Sequence, residues 1–427
     1  MKLKNLIYIL SIIIFFVSCK SPEEYFNEAE AAFKAKDYEK AVELYLKAAD
    51  DSIPEAKFRL GECFYEGKGV EKDYNTAISW YAKAAEEGHT IAQFTLGEIY
   101  EKGEIVAQNY DEALKWYTKS ANNGHCLSQY AVAECYANGN GTTPDYEIAI
   151  VWYKKAAEQD HLQSILNLAN CFYNGKGTKR NYKEACVWLE KAANLNDESA
   201  QLKLGRCYYN GIGVNRDYKI ALEWFEKLAS KDNAEAQLYI GECYLGGTGV
   251  EKSDTTAFNW FKKSAENGNF EAKACLGKCY YEGIGTEADT LKAEPYLLEA
   301  AKNNNAQAQA YLGIIYLTFE PKISSKDAVK WLKKAANNGY VDAQYNLAIC
   351  YENGEGIKKD YKQAVNWYNK AVAKGHTDAK YNLAICFLEG TGVEKNFDIA
   401  EELLIDAANE GSKDAEELLK NLYTPTE

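Results

Sequence analysis

Long apolar runs are nearly missing from this 427-residue sequence; Leu6–Val17 is the one long example, which excludes a multi-span membrane protein. It also lacks the bias of a disordered chain: there are only 6 prolines, hydrophobic residues make up 47%, and 33 tyrosines and 8 tryptophans offer a large apolar payload. Positive charge is in deficit, with 49 Lys and Arg against 63 Asp and Glu and a formal net charge of −14. Such an averaged field repels phosphate backbones, so nucleic acid is not an expected partner. No Gly-rich phosphate loop follows a strand pattern, and no nucleophile–base–acid set stands out. The reading is therefore no enzyme, no cofactor and no metal.

Leu6–Val17, preceded by Lys2 and Lys4, matches the n-region and h-region of an export signal. Residues 1–18 are read as a lipoprotein signal peptide and set apart from the fold. Phe16-Val17-Ser18-Cys19 resembles a bacterial lipobox, whose cysteine is lipidated and becomes the first residue of the mature chain. The resemblance implies acyl chains on Cys19, an anchor that holds firmly only with more than one chain. It also implies a bacterial cell envelope protein on the periplasmic or surface face, with a mature formal charge of −16 once Lys2 and Lys4 are removed. An ordinary cleaved signal and an uncleaved anchor are the alternatives. Residues 19–24 read as a polar tether.

The rest is organised by one period of 36 residues. The small residue of Leu60-Gly61-Glu62-Cys63-Phe64 recurs at Gly97, Ala133, Ala169, Gly205, Gly241, Gly277 and Gly313, then after one deletion at Ala348 and Ala384. All eight tryptophans (Trp80, Trp116, Trp152, Trp188, Trp224, Trp260, Trp331, Trp367) hold a second position, with Tyr296 and Leu403 in the two remaining places. Ten units then run over residues 53–411, which makes an array and not three globules.

Each unit reads as two antiparallel helices. Ala92, Leu96 and Tyr100 fall at i, i+4 and i+8 and build one apolar stripe of helix A. Glycine inside a helix costs about 1 kcal/mol against alanine. A position that is only Gly or Ala therefore suggests that another helix crosses there. Gly67 and Gly69 supply positive φ at the end of helix A, Asp73 can cap helix B, and Ala77, Trp80 and Ala84 share a face of helix B. Glu87-Gly88 closes the unit.

The pattern Ala-Gln-x-x-Leu-Gly-x-x-Tyr-x-x-Gly-x-Gly-Val-x-x-Asp-x-x-x-Ala-x-x-Trp-Tyr-x-Lys-Ala-Ala-x-x-Gly resembles the Sel1-like repeat, a relative of the tetratricopeptide repeat with a longer inter-helix loop. It covers about 360 residues with ten copies in phase. The resemblance implies an all-α fold: a right-handed α-solenoid superhelix of stacked antiparallel helix pairs. Residues 25–52 lack the glycine loop and look like a plain tetratricopeptide unit serving as the N-terminal cap, and residues 412–427 supply a closing helix and tail. Pro295 in helix B of unit seven and Phe319–Ser324 in place of the glycine loop of unit eight predict a local change of curvature between about residues 285 and 330.

Twelve cysteines raise disulfides or metal. Eight of them (Cys63, Cys135, Cys171, Cys207, Cys243, Cys279, Cys350, Cys386) hold one repeat position. Successive copies are at least ~8–10 Å apart, beyond the ~7 Å Cα limit for a bridge, and read as small core residues. The secreted Helicobacter cysteine-rich members of the resembled family pair cysteines seven residues apart in each unit; alanines such as Ala85 and Ala92 stand there in this chain. That departure argues against their disulfide ladder and against their penicillin-binding activity. Cys126–Cys135 and Cys171–Cys186 are pairings left open. His89, His125, His161 and His376 each follow a turn, where other units have Asp197, Asn233, Asn269 or Asn305, and read as helix-entry residues.

Function is then expected on a surface. With the core leucine at 0°, the residues one after and two before the Gly/Ala lie near ~200° and ~260° on helix A. By resemblance to tetratricopeptide arrays, they face a solvent-lined concave side. The candidate partner-binding residues are Glu62, Glu98, Glu134, Asn167, Asn170, Lys203, Arg206, Tyr239, Tyr311, Ile314, Asn346, Ile349, Asn382 and Ile385. The track changes from acidic through basic to apolar with amide edges, which suits an extended peptide or an amphipathic helix. The competing view is that the isoleucines pack against neighbouring helices. The resemblance implies a non-catalytic protein–protein interaction scaffold. A glycan- or peptidoglycan-binding module is the alternative.

Overall fold

The computed structural model describes residues 20–50, 53–318 and 325–423. The signal segment, Cys19 and the substituted loop Phe319–Ser324 lie outside the described residues. Within them the chain forms 23 helices and no strand, and inside each of its two compact units consecutive helices pack in antiparallel pairs. This is an all-α repeat solenoid. It divides into two compact units: the first ends at Cys207 and includes Gly211–Asn215, and the second comprises Tyr208–Asn210 and the chain from Arg216 onward.

Helix boundaries follow local chemistry. The leading pair, Pro22–Lys34 and Tyr38–Asp50, opens with a capping box in which the Ser21 hydroxyl and the Glu24 carboxylate each accept from the other's backbone N–H. In the first glycine-loop unit, helix A (Pro54–Glu66) ends at Gly67 with φ 75°, and helix B (Tyr74–Glu86) starts where Asp73 accepts from Asn75 N–H at 3.0 Å and Thr76 N–H at 3.3 Å. Gly69 answers two demands at once: its φ is 73°, and an added Cβ would lie 2.3 Å from the Tyr38 carbonyl oxygen, so the loop rests directly on the preceding helix pair. All four histidines stand at helix entries, as the sequence suggests, and His89, His161 and His376 cap them with the side chain, while His125 Nδ1 lies 2.8 Å from the Ser128 hydroxyl. His89 Nδ1 accepts from Ala92 N–H at 3.0 Å and His161 Nδ1 from Ser164 N–H at 3.3 Å.

The period-defining small residue meets a side chain from helix B of its own unit. An added Cβ at Gly97 would stand 2.4 Å from the Tyr117 ring, at Gly61 2.4 Å from Tyr81, at Gly241 2.6 Å from Phe261 and at Gly277 2.6 Å from Leu297. The crossing inferred from the Gly/Ala alternation is thus a ring or leucine laid on bare backbone. Each of these side chains is the residue directly after the tryptophan position. The tryptophans reach backward: Trp116 joins the cluster of Phe58, Tyr81 and Leu96, and Trp152 packs on that of Tyr117 and Val132. Trp116, Trp188 and Trp367 are buried and the other five half-buried, and all eight carry the ammonium of the lysine three residues on, at 3.6–5.7 Å from a ring centroid.

A buried glutamine ties the turns. Gln93 Nε2 donates to the Ala85 carbonyl at 2.9 Å, filling an acceptor at the end of the preceding helix B, and its Oε1 accepts from Asn123 at 3.2 Å. Where lysine replaces this glutamine the link is ionic: Lys57 pairs with Glu87 and Lys380 with Glu410 at 2.7 Å, each acidic residue standing in place of the asparagine, while Lys273, opposite Asn303, reaches Glu299 instead. The helix Thr290–Lys302 continues past Pro295, whose ring lies on the exposed side and removes no core contact. The closing helix Lys413–Tyr423 buries Ala415 and lays Leu418, Leu419 and Leu422 on the last cluster.

Two measurements check this packing. Gly97→Leu is expected to destabilise by roughly 1–3 kcal/mol in urea unfolding, whereas Gly97→Ala costs less, since Ala133 and Ala348 hold that position with Tyr153 and Tyr368 at the ring position. Burial holds the His125 and His161 imidazoles below their ordinary 6.5. The unfolded chain therefore binds more protons in the window below 6.5, and stability present above it is lost as pH falls toward the folded values. The double variant His125→Asn, His161→Asn, matching the caps Asn233 and Asn269, is expected to flatten the fall in Tm between about pH 7 and 5; an unchanged slope refutes it.

Candidate functional site

Helix A residues two before the small position turn out to bridge neighbouring A helices. In the second unit, Phe270–Glu282 touches Ala306–Thr318, which touches Val341–Asn353; among the described residues no two B helices approach as closely. The bridges are specific. Arg59 Nε lies 3.3 Å from Glu30 on the preceding A helix, and Asn167 Nδ2 donates to Glu134 at 2.8 Å. Tyr239 stands edge-on to Tyr209 at 5.3 Å, Tyr311 donates to Glu282 at 2.5 Å, and Asn382 Nδ2 lies 3.5 Å from the Tyr345 hydroxyl.

The track expected to face solvent is in large part a half-buried seam. Glu62 takes Arg59 Nη1 at 2.8 Å, Glu98 takes Lys102 at 3.3 Å, and Asn346 donates back to the Asp342 carbonyl at 2.8 Å. Ile349 packs against the core, in line with the competing view, and Ile314 and Ile385 are half-buried. Asn170, Lys203 and Arg206 stay exposed. Two residues per turn point toward the neighbouring helix because antiparallel pairs stacked at one period bring their A helices side by side, which a helical wheel of a single helix does not contain.

The seam opens into two clefts. Glu134, Asn138, Asn167, Asn170 and Asn174, with Tyr146, Tyr153 and Lys176, line an opening of ≈ 420 Å³ between the helices Cys126–Asn138 and Leu162–Asn174. Two repeats earlier the same positions, now Tyr65, Tyr81, Thr95, Glu98, Ile99, Lys102 and Glu104, line a tighter one of ≈ 150 Å³. Side-chain identity, not backbone, sets the difference. At the floor of the larger cleft Glu134 accepts from Tyr153 at 2.5 Å and Asn138 at 3.2 Å besides Asn167. Burial and the bond to Glu134 push the Tyr153 hydroxyl well above its ordinary 10, so it remains a fixed donor. Burial likewise raises the Glu242 carboxyl, whose Oε2 accepts from Tyr209 at 3.2 Å. Tyr146, Tyr153, Asn138, Asn174 and Lys176 were missed from sequence; the tyrosine following each of Trp80, Trp116 and Trp152 was the available signal.

Among the described residues no group of three or more His, Cys, Asp and Glu is arranged to hold a metal ion. The eight repeat-position cysteines are buried, and burial pushes thiols such as Cys135 and Cys350 up to about 12, which removes thiolate reactivity. All eleven described cysteines are free, so neither Cys126–Cys135 nor Cys171–Cys186 is bridged; the Cys186 thiol donates to the Ile212 carbonyl at 3.2 Å.

The Sel1 repeat model matches residues 30–52, 54–89, 90–125, 126–161, 162–197, 198–233, 234–269, 271–305, 306–340, 341–376 and 377–412. The chain belongs to the Sel1 repeat family. Its first matched segment is the leading pair without a glycine loop. Among solved structures it is similar to a protective antigen present in uropathogenic Escherichia coli strains, at 32% identity and TM-score 0.79 over 95% of this chain and 88% of that one. A Sel1 repeat protein from Oxalobacter formigenes is 26% identical over 81% of this chain and 90% of that one, with a TM-score of 0.46. An F-box protein of Arabidopsis thaliana is 49% identical over 45 residues, a match to 10% of this chain and 12% of that protein's length. Sel1 repeat solenoids are typically protein–protein interaction scaffolds and generally not catalysts.

Glu134→Leu and Asn167→Leu are expected to be non-additive, with a coupling of about 0.5–3 kcal/mol in a double-mutant cycle of urea unfolding. Additive costs would show that the floor of the cleft is not a shared network.

Proposed function

We propose that this Sel1 repeat protein is a non-catalytic scaffold whose helix A face binds a segment of a protein partner. The observation that carries the reading is the recurrence of one cleft in the seam between A helices, at Tyr65–Glu104 and again two repeats on around Glu134 and Asn170. Two openings at equivalent positions two repeats apart suit an extended chain, whose side chains enter both clefts while amides such as Asn170 meet its backbone. Lys203 and Arg206 continue the exposed track in the first compact unit, and the half-buried Tyr311, Ile314 and Ile385 line the equivalent positions of the second. A second reading, glycan binding, is favoured by one feature: the four asparagines and Tyr146 around the larger cleft offer neutral hydrogen-bonding groups of the kind that sugar hydroxyls meet.

We further propose that the scaffold is held at a membrane of the bacterial envelope through acyl chains on Cys19. No helix among the described residues is long and apolar enough to cross a membrane.

A photo-crosslinking residue placed at Asn170 or Lys203 in living cells is expected to capture one protein species, which the same residue at Val187, on the outer side of helix B and 53% exposed, does not. Equal capture from Val187 refutes the helix A face; no protein adduct, with retention of a labelled cell-wall oligosaccharide that Asn170→Ala abolishes, supports the glycan reading. Cys19→Ser is expected to move the protein from the membrane to the soluble fraction and to abolish palmitate labelling.

A further inference from the structure

Along the first compact unit, the residue one after the small position is held from within three times in succession: Glu62 by Arg59 at 2.8 Å, Glu98 by Lys102 at 3.3 Å, and Glu134 by Tyr153, Asn138 and Asn167. The fourth copy breaks the series. Asn170 is exposed, and among the described residues its side-chain amide meets no partner; the Asn174 amide turns instead to the Asn170 backbone carbonyl, at 3.1 Å. Two ammonium groups flank it. Lys176, on the loop after the same helix, lines the ≈ 420 Å³ cleft with Asn170 and lies 5.4 Å from the Tyr146 ring centroid. Lys203 stands on the next A helix in the register of Asn167, whose Nδ2 reaches Glu134 33 positions back; 33 positions before Lys203 is Asn170. Both lysines are exposed, and neither enters an ion pair among the described residues.

The local charge is opposite in sign to that of the chain. Residues 162–207 carry seven Lys and Arg against four Asp and Glu, whereas residues 90–161 carry five against ten and the whole chain has a formal charge of −14. Lys179, Arg180, Lys183 and Arg206 are exposed as well. Such a set draws anions in over roughly a Debye length, about 8 Å at physiological salt, against the repulsion of the rest of the surface. Glu134, the carboxylate on the cleft floor, is half-buried and turned to its three donors, while both ammonium groups face solvent.

On the reading that the helix A face binds a protein segment, we propose that this segment is acidic where it passes Asn170: carboxylates of an extended stretch rich in Asp and Glu meet Lys176 and Lys203, and the Asn170 amide holds its backbone. An amide side chain presents donors and an acceptor together, the complement of what one edge of an extended peptide offers. That match is what favours a peptide over an acidic glycan. Exposed charge pairs add little each, so the lysines act through attraction and partner choice more than through depth of binding. Binding is therefore salt-sensitive, and it depends on where the positive charges stand and not on the total charge of the chain.

The test titrates the full chain with two fluorescein-labelled peptides of about twelve residues, one alternating Glu and Ser and the other Gln and Ser. Anisotropy is expected to show binding of the Glu peptide alone, weakened roughly tenfold between about 50 and 300 mM salt. The double variant Lys176→Gln, Lys203→Gln is expected to lose about tenfold in affinity, whereas Lys330→Gln, Lys362→Gln, which removes the same charge from exposed sites of the second compact unit, leaves it unchanged. Equal binding of the Gln peptide, or equal losses in the two double variants, overturns the proposal. Retention of an oligogalacturonate in place of the peptide assigns the cations to an acidic glycan, and low-salt self-association in place of peptide binding assigns them to a second copy; either result overturns it. Crosslinking from Asn170 separates the two levels. A captured partner peptide rich in Asp and Glu supports both, a neutral or basic one overturns the acidic partner and keeps the scaffold, and equal capture from Val187 removes the helix A face itself. Because the peptide pair needs no variant, it decides the question even where a substitution misfolds.

Discussion

Helix B lays one side chain directly on the backbone of helix A, and the whole array is dimensioned by that contact. A tyrosine, phenylalanine or leucine meets Gly61, Gly97, Gly241, Gly277 or Gly313 where even a methyl group would stand 2.4–2.6 Å away. Close approach of backbones is what permits a pair this compact to stack at a constant period. It also explains why a helix interior tolerates a residue that costs about 1 kcal/mol in isolation. That cost is offset by burying a large ring such as Tyr117, 1% exposed, against its partner helix.

From that contact the remaining regularities follow outward. With the ring fixed, the preceding tryptophan turns toward the previous unit, and the lysine three residues later covers what remains of its face. Where a loop carries a second glycine, that residue rests on the start of the earlier helix B, as Gly69 does on Tyr38. Buried Gln93 closes the turn between units by satisfying a carbonyl that helix geometry leaves unpaired. Its replacement by a lysine with an acidic partner at positions 57 and 87, and again at 380 and 410, keeps the same link in ionic form.

The binding chemistry is built on what this scaffold leaves variable. Successive A helices meet along a seam, and the clefts in that seam take their size from a few side chains: Asn167 and Asn170 in one place, Thr95 and Glu98 in the other. A scaffold of this design changes its ligand preferences without changing its fold, since the tryptophans and glycines line neither cleft and the ring position, Tyr153 in one and Tyr81 in the other, is shared by both. Cys186 illustrates the same freedom in the core. There a cysteine stands where the adjacent units have Ile150 and Leu222, and its thiol donates to the Ile212 carbonyl.

The period, the pairing of helices, the caps at Asp73 and His89 and the crossing at Gly97 were all legible in the sequence, because each depends on residues a few positions apart and is repeated often enough to be read in phase. The competing expectations for Ile349, groove or core, were not decidable there. Neither was the seam that half-buries Glu134, Asn167 and Tyr239. Those depend on how far one helix sits from another's side chains, a distance set by the stacked backbones. A single unit's hydrophobic pattern carries direction around a helix, and only the packed array supplies the neighbour lying in that direction.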